Sequence, residues 1–123
     1  MVDTIQIIGI SNHHFIIEQG ATFGQVLTLT DSSSTVVNLV GYGSAEMDLR
    51  RNPESSTPIL TLTTANGGIA LGGTAGTVTL TISASDTADL LVGSGVYDLE
   101  IVSGSNVYRI LEGTFNVRRN ISR

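Results

Sequence analysis

The stretch GVYDLEIVSGSNVYRILEGTFNV, residues 95–117, decides the fold. Two apolar-rich runs flank Ser103-Gly104-Ser105-Asn106, and Gly104 can supply the positive φ that the first central position of a type II′ turn requires. This pattern predicts a tight β-hairpin. With Ser103 paired to Asn106, Ile101 falls opposite Tyr108, Leu99 opposite Ile110 and Tyr97 opposite Glu112, so one face is mostly apolar and takes both tyrosines inward. The other face sets Asp98, Glu100 and Val102 against Leu111, Arg109 and Val107, which places Glu100 across from Arg109 as a cross-strand ion pair. Beyond Ile110 the inward positions change parity to reach Phe115 and Val117, and Gly113 is the expected place for a bulge. A hairpin with so long an apolar face needs a second layer over it.

The rest of the chain has the composition to supply that layer. At 123 residues it is long enough for one core and too short for two ordinary domains. Hydrophobic residues make up 41% and charged residues only 14%, which argues against disorder and suits short strands. Residues 2–10 and 13–18 read as strands, and 23–30 alternate cleanly with Phe23, Gln25, Leu27 and Leu29 on one side. Residues 35–40 read as another strand, as do 45–51 with Ala45, Met47 and Leu49 inward. Pro58 stands at the entrance to a strand over 59–63. Asn66-Gly67 marks a turn before a brief strand at 69–71, and Val78, Leu80 and Ile82 alternate strictly with Thr and Ser. Ser83 and Asp86 have capping-box spacing, so one short helical turn is expected near 84–91.

Short strands punctuated by turns, without long helical periods, predict an all-β fold, an antiparallel β-sandwich of immunoglobulin-like topology. The expected organisation is an N-terminal strand or arm over 1–12, the sandwich over 13–117 and a basic tail over 118–123.

The same residues speak against most chemistry. A net charge of −5 gives no basic footprint for nucleic acid, and no apolar run is long enough for a membrane helix. No signal peptide is evident at the N-terminus, and the expected place of synthesis is a cytoplasm. Without cysteine there is no disulfide, thiol nucleophile or thiolate-ligated metal. His13 and His14, with Glu18, are the one conceivable metal cluster, but neighbours on a strand point to opposite faces. The glycines of 67–76 lack the Gly-Lys-Ser/Thr that a phosphate loop needs, and the Gly41-Tyr42-Gly43 stretch fails a dinucleotide fingerprint at its last position. Asp98 and Glu100 share a strand face, yet Arg109 is their expected partner rather than a substrate. Neither catalytic residues nor cofactors nor metals are expected, so the chain reads as a non-enzyme.

All six basic residues are arginines, suited to bidentate contacts at interfaces. The candidate interface residues are Ile5 and Ile7 of the arm, Tyr42, and the arginines Arg50, Arg51, Arg118, Arg119 and Arg123. Tyr42 is also the candidate for stacking on a sugar, because Tyr97 and Tyr108 are expected inside.

Several phrases together resemble a family of small structural proteins of tailed bacteriophages and prophages. They are His14-Phe15-Ile16-Ile17-Glu18-Gln19-Gly20-Ala21-Thr22-Phe23, Val37-Asn38-Leu39-Val40-Gly41-Tyr42 and Met47-Asp48-Leu49-Arg50, followed by residues 82–88, 97–100 and 111–117. The resemblance runs from His13 to Val117 and extends, more distantly, to the immunoglobulin-like N-terminal domains of phage baseplate proteins that hold receptor-binding proteins. It implies a non-enzymatic virion structural protein that mediates assembly contacts. Tail, baseplate or fibre attachment comes first, capsid decoration or head–tail connection next. The partners implied are other virion proteins and further copies of the chain in a symmetric assembly, with no nucleic acid and no membrane. The alternative is a carbohydrate-binding or host-adhesion module with a host glycan as ligand.

Overall fold

The structure is a computed structural model, and it describes residues 2–6, 11–31 and 33–119. Among the described residues nine strands follow in order: β1 (Val2–Gln6), β2 (Ser11–Glu18), β3 (Phe23–Thr30), β4 (Ser44–Arg50), β5 (Leu60–Thr63), β6 (Ile69–Leu71), β7 (Thr77–Ile82), β8 (Gly93–Ser103) and β9 (Asn106–Arg118). A short helix, α1 (Ala84–Ala88), lies between β7 and β8, and a single 3-10 turn (Gly73–Ala75) between β6 and β7. Among the described residues no helix is long and apolar enough to cross a membrane.

The strands form two sheets, ordered β1-β3-β7-β6 and β2-β9-β8-β4-β5. This is the order of an immunoglobulin sandwich with one strand added beyond the C–F–G side and the leading strand divided between the sheets. Interior pairings are antiparallel, whereas β1 runs parallel to β3 and β2 parallel to β9. The all-β sandwich expected from the turn spacing is what the chain forms, with parallel pairs at two edges.

Alternation fills the space between the sheets. Leu27 and Leu29 of β3 and Val78, Leu80 and Ile82 of β7 meet Ala45, Met47 and Leu49 of β4 and Leu99 and Ile101 of β8 in one buried cluster. At one side Phe15, Phe23 and Tyr97 pack as an aromatic group, with ring centroids 5.7 Å apart for Phe15–Phe23 and 4.9 Å for Phe15–Tyr97. The helical turn sits where Ser83 caps it: Ser83 Oγ accepts the Asp86 N–H at 3.2 Å. Thr87, wholly buried, ties that turn to the end of β2, with its Oγ1 accepting the Gly20 N–H and donating toward the Ala21 carbonyl.

The β8–β9 hairpin forms as expected at its tip and differs lower down. Gly104 has φ +60° while Ser105 keeps an ordinary φ, the pattern of a type II′ turn, and Glu100 faces Arg109. The register shift, however, lies between Leu99 and Glu100, so that Ile110 is the extra residue. Leu99 therefore pairs with Leu111, Asp98 with Glu112 and Tyr97 with Gly113. Consecutive Ile110 and Leu111 are both buried, which a bulge allows and regular alternation forbids.

Gly113 is required for a different reason than a bulge. A Cβ there would stand 2.2 Å from the His13 carbonyl oxygen, on β2, which also accepts the Tyr97 hydroxyl at 2.7 Å. Gly95 likewise leaves room for the Phe115 ring that lies across from it.

Residues 35–40 are the other departure. Only Val36 makes a bridge, to Thr30, and the segment runs as a loop held by Val37 N–H to Leu29 O and Leu39 N–H to Gly73 O. Ser34 adopts φ +61°, and the Asn38 side chain accepts the Val40 N–H, a local bond that competes with strand pairing. Leu39 plugs the core, while Val36 and Val40 are exposed.

These contacts set an expected outcome. Gly113→Ala should lose about 1–3 kcal/mol of stability through overpacking against backbone, and Tyr97→Phe about 1 kcal/mol through its lost hydrogen bond. Gly24→Ala, at a position where a Cβ would meet nothing within 4 Å, should change little; urea unfolding of the three variants checks the order.

Candidate interaction surfaces

The outer face of the five-stranded sheet carries the densest polar chemistry. Alternation in β4 and β8 that points Met47, Leu49, Tyr97 and Leu99 inward turns Glu46, Asp48, Asp98 and Glu100 outward. The register then sets Glu46 directly across from Glu100, Asp48 across from Asp98, and Asp98 across from Glu112. Like charges in such positions repel.

Two arginines relieve part of that repulsion. Arg109 lies 3.3 Å from Asp98 through Nε and 3.3 Å from Glu100 through Nη2. Arg50 lies 3.1 Å from Asp48 and also donates to the Ser55 carbonyl, while Thr61 donates to the other Asp48 oxygen. All three ion pairs are partly exposed, so each contributes little to stability. The carboxylates still outnumber the guanidiniums on this face. Asp98 has its pKa raised, chiefly by burial, with Arg109 pulling the other way and Glu100 and Asp48 adding to the rise. Glu46 is raised by desolvation first and then by Asp48, Glu100 and Asp98. A shallow depression of about 450 Å³ lies over this lattice, lined by Asp48, Arg50, Asp98, Arg109, Glu112 and Thr114.

The remaining sequence candidates fall in separate places. Arg51 donates to the Ser94 and Leu91 carbonyls, and its guanidinium stands 5.9 Å from the Phe115 ring centroid, so it pins the loop after α1 to the end of β4. Arg118 ends β9 and pairs with Glu18 of β2 at 3.2 Å, and Arg119 is exposed just beyond. Ile5 lies in β1 opposite Leu29. Ile7 and Arg123 lie outside the described residues. The structure thus brings Arg50 to the acidic lattice and leaves the other candidates apart from it.

The histidines diverge as adjacent strand residues must. The His13 ring packs 4.7 Å from Phe15, whereas His14 Nδ1 lies 2.6 Å from Thr114 Oγ1 on the outer face.

Tyr108 is a correction. It shares the inward side with Ile101, but it sits close to the turn of the hairpin and is 46% exposed. There its ring meets that of Tyr42 edge to face, centroids 6.0 Å apart, beside the bond from Ser103 Oγ to the Gly41 carbonyl. Tyr97, by contrast, is buried as expected, and burial raises its phenol well above the ordinary range. Strand alternation alone could not show that the hairpin outruns the opposing sheet.

No protein-family model matches this chain, and no curated protein does. Among solved structures it is similar to the N-terminal domain of ORF48 of phage TP901-1, with a TM-score of 0.61 over 96% of this chain and 99% of that one. At 12% identity this is a likeness of fold.

The charge lattice has a pH signature. Because Glu46 titrates above its ordinary value of 4.5 in the folded protein, the folded state binds the extra proton in that window, so stability falls as pH rises through it. Glu46→Gln should raise stability at pH 7 by less than about 1 kcal/mol, and the gain should vanish as pH drops below 4.5; paired thermal unfolding at the two pH values checks the sign.

Proposed function

We propose that this protein is a non-enzymatic structural component of a bacteriophage particle, made in the host cytoplasm and working in the virion. Tail, baseplate or fibre attachment is the first placement, and capsid decoration or head–tail connection the second. The observation that carries the reading is a fold likeness to a phage domain that spans nearly the whole of both chains. The resemblance of residues 13–117 to small phage structural proteins points the same way.

The surfaces fit that role. Asp98, Glu100 and Arg109 satisfy one another instead of converging on a reacting atom, and Asp48 is held by Arg50 and Thr61. Such a face makes contacts by charge and shape and asks for no cofactor. Its excess of carboxylates suits protein partners and disfavours a polyanion such as nucleic acid. Other virion proteins and further copies of the chain are the partners this reading requires.

One observation favours a second reading. Tyr42 and Tyr108 form an aromatic corner at the hairpin end, the kind of platform on which a sugar ring stacks. A glycan-binding, host-adhesive role would follow from it.

Mass spectrometry of purified particles together with density for the assembled virion separates the two readings. Stoichiometric incorporation at symmetric positions, with no glycan-array signal, is the expected result. Glycan binding lost on Tyr42→Ala and on Tyr108→Ala, from a chain missing in the particle, would replace the structural role with the adhesive one.

A further inference from the structure

We propose that β2 pairs along its open side with β2 of a second copy of this chain, antiparallel and with the two-fold axis at Ile16, joining two five-stranded sheets into one. The inference stands on β2 itself and holds whether or not the chain is a virion component.

Among the described residues, β2 is bonded on one side only, to β9. Its polar groups divide cleanly between the two sides. Gln19 donates its N–H to the Arg118 carbonyl, so in the extended chain the odd-numbered peptide groups face β9 and those of His14 and Ile16 face outward. Proteins guard such edges with prolines, lysines, bulges or brevity. The edge strands β5 and β6 use brevity, at 4 and 3 residues, and β5 follows Pro58. β2 has 8 residues and an unbroken register with β9, and contains neither Pro nor Lys. Its outward side chains include Ile16, 48% exposed.

The sequence of the strand says what fits there. Around Ile16, His14 precedes by two residues and Glu18 follows by two, all three on the outer face. An antiparallel copy centred on Ile16 sets isoleucine against isoleucine and each imidazole against the other copy's Glu18 carboxylate. The pairs Ile16 with Ile16 and His14 with Glu18 are even-numbered, so the peptide groups that face outward are the ones that meet as hydrogen-bonded pairs. His14 Nδ1 lies 2.6 Å from Thr114 Oγ1, and in the tautomer in which the Thr114 hydroxyl donates, the ring carries its hydrogen on Nε2, a donor for a carboxylate. The pattern is self-complementary, as a two-fold contact demands.

Sedimentation of the full chain over a concentration series, with amide exchange followed by NMR, tests this. The mass should rise from monomer to dimer with concentration, and the His14 and Ile16 amides should become protected as it does, while that of Ile17 is protected throughout. Ile16→Lys should abolish the dimer, and His14→Glu should weaken it about tenfold, with H14E/E18H regaining the loss; thermal unfolding verifies that each variant is folded. A chain that stays monomeric overturns the pairing and leaves the structural role untouched. A dimer that survives Ile16→Lys, or one in which the His14 and Ile16 amides of the unaltered chain stay unprotected, overturns it as well.

Discussion

The extra residue at Ile110 is the constraint on which the sandwich depends. Above it, the hairpin pairs Ile101 with Tyr108 and Glu100 with Arg109, and below it Leu99 meets Leu111 and Tyr97 meets Gly113. Without the shift, Phe115 and Val117 would point to solvent, since a slip of one residue moves every later side chain to the other face. With it, both are wholly buried, and Gly113 comes beneath the His13 carbonyl where a side chain would collide. The Tyr97 hydroxyl then bonds that same carbonyl, so the centre of the sheet and its edge strand are joined through one oxygen. In this way the hairpin register positions β2, the longest of the edge strands among the described residues.

Much of this was legible in the residues. The hairpin tip, the inward series of β3, β4 and β7, and the Ser83 cap all follow from local chemistry, because alternation, turn glycines and caps act over a few residues. The parity change was legible too, from Phe115 and Val117, but its position was not. A glycine marks both a bulge and a close backbone approach, and only the placement of β2 shows that Gly113 serves the second. Residues 35–40 have the apolar content of a strand, yet Asn38 and Ser34 turn the chain locally. Tyr108 follows the inward pattern and still meets solvent, since exposure depends on where the opposing sheet ends.

The outer surface shows the same division between local and distant information. That Glu46, Asp48, Asp98 and Glu100 turn outward is implied by alternation, but their opposition across β4 and β8 comes from a pairing between strands far apart in the chain. Arg109 and Arg50 temper the repulsion without removing it. The outer face is thus kept acidic at some cost to the isolated domain. Arg51, an interface candidate in the sequence, donates to the Ser94 and Leu91 carbonyls and so ties the loop after α1 to the end of β4.

The most direct measurement is the set of Hα–Hα contacts between β8 and β9 in the NMR spectrum of the protein, since these report the register residue by residue. Close contacts of Asp98 with Glu112 and of Val96 with Thr114 are the expected result. Contacts of Asp98 with Leu111 and of Val96 with Gly113 would mean that Ile110 is not bulged, and the positioning of Phe115, β2 and the outer face described above would be contradicted.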